Sequence, residues 1–342
     1  MKAYIIQNEN ALYHECGFSC DNGMFIRFDE ENAFFLTDAR YTTEAAEFIT
    51  NATVVDAKRE LAKCAKTLIR KFAPKSVAYD PKDFSVERFG KLSSNLKVRF
   101  IPLPNLSLKK REIKTLEDIN ALKKAADEGK KAFERFGDFI KSQGFGMSEE
   151  ELFFNAELLF KDRGKLSLSF PPIVAINENA AKPHALPTKK KLREGDLLLL
   201  DAGVLCERYC SDRTRSVEVS GDFTFSKEQK FKDALKQKVY DTVLLAQQSA
   251  IKAAKEGVRA CDIDKAARDV IDKAGFGKYF VHSTGHGVGL DIHELPVISS
   301  KSQTIIAENM LFTIEPGIYL PDKFGVRIED MVVIQNGKAL VL

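Results

Sequence analysis

The chain has no tryptophan, only five histidines, and no apolar run near the ~20 residues that a membrane-spanning helix needs. That last absence excludes a bilayer-crossing helix. The N-terminus, Met1-Lys2-Ala3-Tyr4-Ile5-Ile6-Gln7-Asn8-Glu9, turns polar too early to supply the apolar core of a signal peptide. Charge of one sign is lacking as well: 52 basic against 49 acidic residues leave +3, too little to draw the chain towards an acidic partner. The basic runs Lys109-Lys110-Arg111 and Lys189-Lys190-Lys191-Leu192-Arg193 read as solvated flanks, so neither nucleic acid nor membrane is expected as a partner. The six cysteines have no metal-finger spacing. Cys16 and Cys20, and again Cys206 and Cys210, are too loosely spaced, and Cys64 and Cys261 stand alone. They are expected to be small buried hydrophobes of a cytoplasmic chain, without disulfides. With 44% hydrophobic and 30% charged residues, the composition is that of a globular protein.

The few histidines are concentrated. Four of the five lie in the C-terminal half, at His184, His282, His286 and His293. His282 to Pro296 is the densest stretch, and around it stand Asp201, Asp212, Glu315 and Glu329. Four carboxylates with imidazole and no clustered thiolate describe an oxygen-rich site for divalent cations. The spacing of the acids strengthens this. Asp201 ends the run Leu197-Leu198-Leu199-Leu200, which reads as a buried strand, and Tyr209 to Val219 reads as a second. A tight turn near Cys206-Glu207 sets Asp201 opposite Asp212. Likewise, a hairpin centred near Asp322, within Pro321-Asp322-Lys323-Phe324-Gly325, sets Glu315 opposite Glu329. Facing carboxylates repel in a plain fold, and two divalent cations would offset the four charges. His286 lies between Gly285 and Gly287, where the backbone can approach something closely. Arg327 precedes Glu329 by two residues and so shares its strand face. It is expected either at the substrate pocket or as the ion-pair partner that holds the carboxylates.

Two domains are expected from the length. In the first, Met24 to Phe28 and Ala33 to Thr37 read as a hairpin, followed by strands at Val54-Val55, Ser76 to Tyr79 and Lys97 to Ile101. Helical patterns lie near Tyr41 to Ile49, Arg59 to Phe72 and Ser85 to Leu92. The alternation predicts a modest α/β domain. Pro102-Leu103-Pro104 stops the last strand and opens a linker, so the boundary falls near residues 102 to 112. In the second domain, Thr115-Leu116-Glu117-Asp118 starts a long helix reaching about Ile140. Ser148-Glu149-Glu150-Glu151 is a capping box, Ser226-Lys227-Glu228-Gln229 is expected to cap a third helix running to Gly257, and a fourth spans about Asp262 to Ala274. Helices outside a mostly antiparallel sheet make this an α+β domain.

These residues carry a resemblance. Leu200-Asp201-Ala202-Gly203, Ser211-Asp212-Arg213-Thr214-Arg215, Gly285-His286-Gly287-Val288-Gly289, His293-Glu294-Leu295-Pro296, Glu315-Pro316-Gly317-Ile318-Tyr319 and Arg327-Ile328-Glu329-Asp330 are similar to motifs of the pita-bread metallopeptidases. That family includes aminopeptidase P, prolidase and methionine aminopeptidase. The resemblance implies a pita-bread catalytic domain over 112–342, with a curved antiparallel sheet and outer helices. Residues 1–106 resemble the smaller creatinase/prolidase-like N-terminal domain of the proline-specific members. It implies Asp201, Asp212, His286, Glu315 and Glu329 as ligands of two divalent ions, with Mn2+ favoured by the oxygen-rich donors and Co2+ or Zn2+ as substitutes. His184, His282 and His293 are expected to line the substrate pocket, and a homodimer is expected. Such ions make hydroxide available near neutral pH. His293 and His184 would stabilise the oxyanion, and Glu315 would carry the proton to the leaving nitrogen. The creatinase-like domain points to peptides with proline at the second position. Removal of the N-terminal residue, as by aminopeptidase P, is the leading expectation. Prolidase, which takes only Xaa-Pro dipeptides, is the alternative, and a non-catalytic binding member of the fold is a third reading that the intact ligand positions disfavour.

Overall fold

The structure, a computed structural model, describes residues 3–342. One compact unit ends at Arg111 and a second begins at Glu112. The first is built on six short strands, β1 (Ala3–Ile6), β2 (Met24–Arg27), β3 (Ala33–Thr37), β4 (Thr53–Asp56), β5 (Ser76–Tyr79) and β6 (Arg99–Pro102), in the order β4-β3-β2-β1-β5-β6. The β2–β3 hairpin pairs Arg27 with Ala33 across the expected turn. Successive residues of a strand face opposite ways, and both faces are covered here. Ala3 and Ile5 join Ile26, Leu61, Ala65 and Ile69, while Tyr4 and Ile6 join Leu12, Phe25 and Phe35. The helices are α1 (Glu9–Cys16), α2 (Thr42–Phe48), α3 (Leu61–Phe72), α4 (Val86–Ser93) and α5 (Leu106–Arg111). Three of these elements depart from expectation. β1 and α1 carry no readable pattern, and the supposed linker after Pro102 folds into α5. Pro102 is itself the last residue of β6, paired with Tyr79, at an edge where a missing N–H costs nothing.

The second unit opens with α6 (Leu116–Phe139), whose Thr115 and Asp118 form a reciprocal capping box. Next come α7 (Glu149–Phe160), capped by Ser148 and Glu151, and strands β7 (Ser167–Leu168) and β8 (Ile173–Ile176). β9 (Leu197–Ala202) lies between β8 and β12 (Arg213–Glu218) in an antiparallel sheet. The four-leucine run is buried on both faces. Leu197 and Leu199 pack with Tyr240, Val243 and Ile263, while Leu198 and Leu200 pack with Phe133, Phe136 and Phe160. Truncating any of them to Ala removes a buried isobutyl group worth about 2–5 kcal/mol.

Between β9 and β12 lie β10 (Val204–Cys206) and β11 (Tyr209–Cys210), which pair Cys206 with Tyr209. Their two-residue turn is Glu207-Arg208, with φ of 49° and 73°, the left-handed pair of a type I′ hairpin. The turn therefore falls one residue later than expected, and that slip moves the register. Asp201 faces Thr214, not Asp212. The expected third helix is corrected as well. Ser226 to Gln229 are not helical, and α8 (Ala234–Ala253) starts only after Asp233, whose side chain accepts the amides of Leu235 and Lys236. α9 (Ala260–Lys273) follows as expected. A second sheet has the order β14-β13-β15-β18-β19, from β13 (Gly285–Gly287), β14 (Glu294–Ile298), β15 (Leu311–Ile314), β18 (Asp330–Gln335) and β19 (Lys338–Val341). The β16 (Gly317–Leu320) and β17 (Phe324–Arg327) hairpin rises from its middle. Among the described residues, no helix is long and apolar enough to cross a membrane.

Candidate active site

The acids sit where strands release their backbone. Asp201 is the penultimate residue of β9, and Asp212 immediately precedes β12. Because Thr214 is Asp201's partner, Asp212 lies two residues along on the same face, a diagonal neighbour. Glu315 and Glu329 lie in the gaps between β15 and β16 and between β17 and β18. Gly317 pairs with Arg327 on one side of the gap and Ile314 with Asp330 on the other. The two glutamates are therefore in register opposite each other, as the turn at Asp322 predicts. Their own amides leave the ladder: Glu315 N donates to Thr284 O at 2.8 Å and Glu329 N to Thr214 O at 3.1 Å.

His286 comes from the centre of β13. A Cβ on Gly285 would lie 1.9 Å from Thr313 O, and one on Gly287 would lie 2.1 Å from Leu295 O. The flanking glycines thus allow close strand packing on both sides of the histidine, and the close approach expected there is to neighbouring backbone. His286 Nδ1 lies 3.0 Å from Gly287 O. A carbonyl only accepts, so Nδ1 carries the proton and Nε2 presents a lone pair. Burial pushes this imidazole down to about 4, so it is neutral at physiological pH. Its Nε2 lies 3.5 Å from Asp212 Oδ2 and 3.5 Å from Glu315 Oε1. Ligand atoms of Asp212, His286 and Glu329 all fall within 4.8 Å of one another.

Three carboxyls here are held above their usual range. Burial raises Asp212, with the charges of Asp201 and Glu315 adding to it. Burial likewise raises Glu329, reinforced by Asp212, Glu315 and Asp201 and opposed by Arg327. Glu315 is pushed up to about 8 by burial, against the pull of Arg327. Asp201 Oδ2 accepts Arg327 Nη2 at 2.6 Å, yet its Oδ1 is buried with no hydrogen-bond partner. An orphaned buried acceptor costs about 1–3 kcal/mol. Four carboxyl groups and the bare Nε2 of one imidazole converge here, with Arg327 donating to Asp201 and Thr214 to Glu329. The residues present therefore fit divalent cations, whose charge would satisfy Asp201 Oδ1 and offset the mutual repulsion.

Around this cluster the other expected residues divide into two groups. Arg327 is buried and fully engaged. Nε donates to Thr214 Oγ1 at 3.0 Å, Nη1 to Tyr319 Oη at 2.7 Å and to Pro183 O at 3.2 Å, and Nη2 to Asp201. It holds Asp201 directly, and four of its five N–H groups are spent on protein acceptors. His282 is similarly committed, with Nδ1 2.7 Å from Ser283 O and Nε2 2.8 Å from Tyr319 Oη. Burial, aided by Arg327, lowers its pKa to about 4. His184 and His293 are exposed, and the His293 ring lies 4.4 Å from that of His286. These two are the exposed imidazoles of the set. His14 lies in α1 of the first unit, apart from this cluster in the chain.

Sequence reasoning missed Tyr319, which joins His282 to Arg327, and Thr214, whose hydroxyl donates to Glu329 Oε2 at 2.6 Å. Each follows an acid of the cluster by an even number of residues, Tyr319 after Glu315 and Thr214 after Asp212, a signal that was open to reading. Also unforeseen were two buried supports. Lys114 Nζ donates to Glu294 Oε2 at 2.6 Å, next to His293. Asp264 accepts from Arg268, which also donates to His282 O at 2.6 Å.

Known proteins match this chain in sequence and fold. A family model described as metallopeptidase family M24 matches residues 120–336, and one described as the creatinase/prolidase N-terminal domain matches residues 1–113. An Xaa-Pro dipeptidase of Pyrococcus furiosus is 40% identical over 253 residues, covering 74% of this chain and 68% of the relative. Among solved structures, an Xaa-Pro dipeptidase from Bacillus anthracis superposes with a TM-score of 0.91 at 31% identity, over 99% of this chain and 92% of that one. An X-Pro aminopeptidase from Thermotoga maritima gives a TM-score of 0.87 at 31% identity, over 100% of this chain and 95% of that one. The architecture is thus a creatinase-like N-terminal domain followed by an α+β pita-bread domain.

Proposed function

The chain belongs to metallopeptidase family M24, a family that works with divalent metal ions, and on that premise we propose that it is an Xaa-Pro dipeptidase. The leading expectation from the sequence is an Xaa-Pro aminopeptidase. The named relatives favour the dipeptidase: the Pyrococcus protein at 40% identity and the Bacillus structure at a TM-score of 0.91 both carry that description. The observation that carries the hydrolytic reading is the bare His286 Nε2 set between Asp212 and Glu315 beside the orphaned Asp201 Oδ1. Asp201, Asp212, His286, Glu315 and Glu329 would hold two divalent ions, with Mn2+ suited to donors that are mostly oxygen. When bound, the ions supply Lewis acidity and activate water near neutral pH.

The chain's own residues divide the remaining work. Arg327 and Thr214 hold Asp201 and Glu329 in place, so that the ligand set is preorganised. Glu315 accepts the attacking water's proton and delivers it to the proline nitrogen. That nitrogen has no hydrogen of its own in the peptide and leaves only once protonated. His184 and His293 donate hydrogen bonds to the carbonyl oxygen as negative charge develops on it. His282 is locked by Tyr319.

The test is hydrolysis of Xaa-Pro dipeptides and Xaa-Pro-Yaa tripeptides by protein loaded with Mn2+. We expect dipeptide turnover, its loss with chelator and with His286→Ala, and no comparable cleavage of the tripeptides. Tripeptide cleavage at similar kcat/KM would return the assignment to an aminopeptidase. Failure on both substrates with the ions bound would reject proline-directed hydrolysis.

A further inference from the structure

The loop that carries His184 has almost no structure of its own. Between Ala181 and Thr188 it contains Pro183 and Pro187, which have no amide hydrogen to donate, and no helix or strand. An exposed histidine on such a segment would sample many positions unless the segment is tethered. The tether is Glu149. This residue is the first of α7, held in place by the Ser148 cap, and its side chain is fully buried. A buried carboxylate is costly unless each oxygen is satisfied. Here Oε1 accepts Ile176 N at 2.6 Å, and Oε2 accepts Asn179 Nδ2 at 2.8 Å, Thr188 N at 2.8 Å and Thr188 Oγ1 at 2.6 Å. Asn179 Nδ2 also reaches Leu186 O at 3.0 Å. One carboxylate therefore grips the loop at its entry, through Asn179, and at its exit, through Thr188. Arg327 Nη1 holds the middle through Pro183 O, one residue from His184. None of these bonds joins Glu149 to the acid cluster.

We propose that Glu149 is a positioning residue for the reaction: it sets the placement of His184, and thereby the oxyanion contact, without touching substrate or metal. The proposal rests on the role given to His184 above. Three charge-assisted bonds to two ends of one loop, with a fourth to Ile176 N at the end of β8, fix it far more tightly than a solvated loop of that length, whose ends pay only a slow closure entropy. A displacement of about 1 Å at a catalytic group costs on the order of 100-fold in rate.

The experiment is a double-mutant cycle on dipeptide turnover with Mn2+-loaded protein: parent, Glu149→Gln, His184→Ala, and both together. Gln keeps the shape of the side chain but turns one acceptor into a donor facing other donors. We expect Glu149→Gln to lower kcat by about 10- to 100-fold with a smaller change in KM. In the His184→Ala background the same substitution should do little more. Thr188→Val removes one bond and spares the carboxylate, so it serves if Glu149→Gln does not fold. It should lower kcat by several-fold, with recovery in Thr188→Ser, which restores the hydroxyl. Losses that simply multiply would refute the positioning role and leave His184 as read. A His184→Ala enzyme that turns over like the parent would refute the role of His184 and the inference with it.

Discussion

Replacing Glu315 by Gln should stabilise the protein when cations are stripped away and weaken it when they are bound. The carboxyl's usual value is 4.5, and burial pushes it up to about 8 in the fold. The native group therefore keeps its proton at pH 7, whereas the unfolded chain has released it. Each unit of displacement is worth about 1.4 kcal/mol, and about 2.5 units separate 4.5 from 7, so this one acid costs the cation-free fold roughly 3 kcal/mol. The sign follows from linkage. The native state binds more protons than the unfolded one, so stability is greatest below about 4.5 and falls as pH rises through about 8. The amide of the variant does not titrate. Without cations, Glu315→Gln should melt higher by about 6–12 °C at pH 7, taking about 2–4 °C per kcal/mol for a domain of this size. The advantage should shrink towards pH 4.5.

With saturating Mn2+ the order should invert, because the parent offers a carboxylate that the variant lacks. Binding at about 1,000 times Kd adds about 4.1 kcal/mol to the parent, which exceeds the roughly 3 kcal/mol that Glu315 costs it without cations. Thermal melts followed by circular dichroism, with chelator and with Mn2+, at pH 5 and pH 7, read both effects. A variant that melts below the parent in chelator at pH 7 would refute the account of Glu315 as a carboxyl whose burial costs the cation-free fold stability.

Tyr319→Phe should leave Arg327 Nη1 and His282 Nε2 each short of a partner, costing about 1–3 kcal/mol in urea unfolding. It should also free the His282 ring, readable as a change in its NMR resonance. Lys114→Met takes the ammonium from Glu294 Oε2 in a pair whose side chains are 3% and 0% exposed, and leaves Asp291 N on Oε1. The expected loss is about 3–5 kcal/mol by the same measurement, and Lys114→Met with Glu294→Gln together should recover much of it.

What could be read in the sequence and what could not follows from how local each signal is. Capping boxes at Thr115 and Ser148 need only four adjacent residues, and both form. The Ser226-Lys227-Glu228-Gln229 pattern looks the same but does not start a helix. Gln229 Nε2 reaches back to Thr224 O at 2.8 Å, and Phe225 lies buried against Phe133 and Phe136. Extended chain delivers that ring to the core, and a helix begun at Lys227 would change the path that follows it. β1 escaped notice because Tyr4, Ile5 and Ile6 are apolar on both faces and show no alternation. The facing of Glu315 and Glu329 was legible because Pro, Asp and Gly mark one turn, whereas Glu207-Arg208 is a left-handed turn built from residues that rarely adopt it. The pairing of Asp201 moved by two positions for that reason, and the acids still meet because a two-residue slip preserves the face.

That last property explains why the site tolerates the strand geometry it is built on. A one-residue slip would have turned Asp212 away from Asp201, while a two-residue slip converts a direct pair into a diagonal one and leaves both on one surface. The ladder then stops at each glutamate: Glu315 and Glu329 give their amides to Thr284 and Thr214, outside their own hairpin. Strands that continued regularly would bury two facing carboxylates in a sheet. Strands that break there let the side chains converge with His286 from a third strand. The acids and His293 lie at strand ends, and the exposed His184 comes from a loop outside the strands. The proposed ligand set is thus placed by backbone pairing, and His184 is held by side-chain tethers such as Glu149, while Lys114 holds Glu294 beside His293. Substitutions in the tethers should therefore disturb turnover before they disturb cation binding, and substitutions at the strand ends should do the reverse.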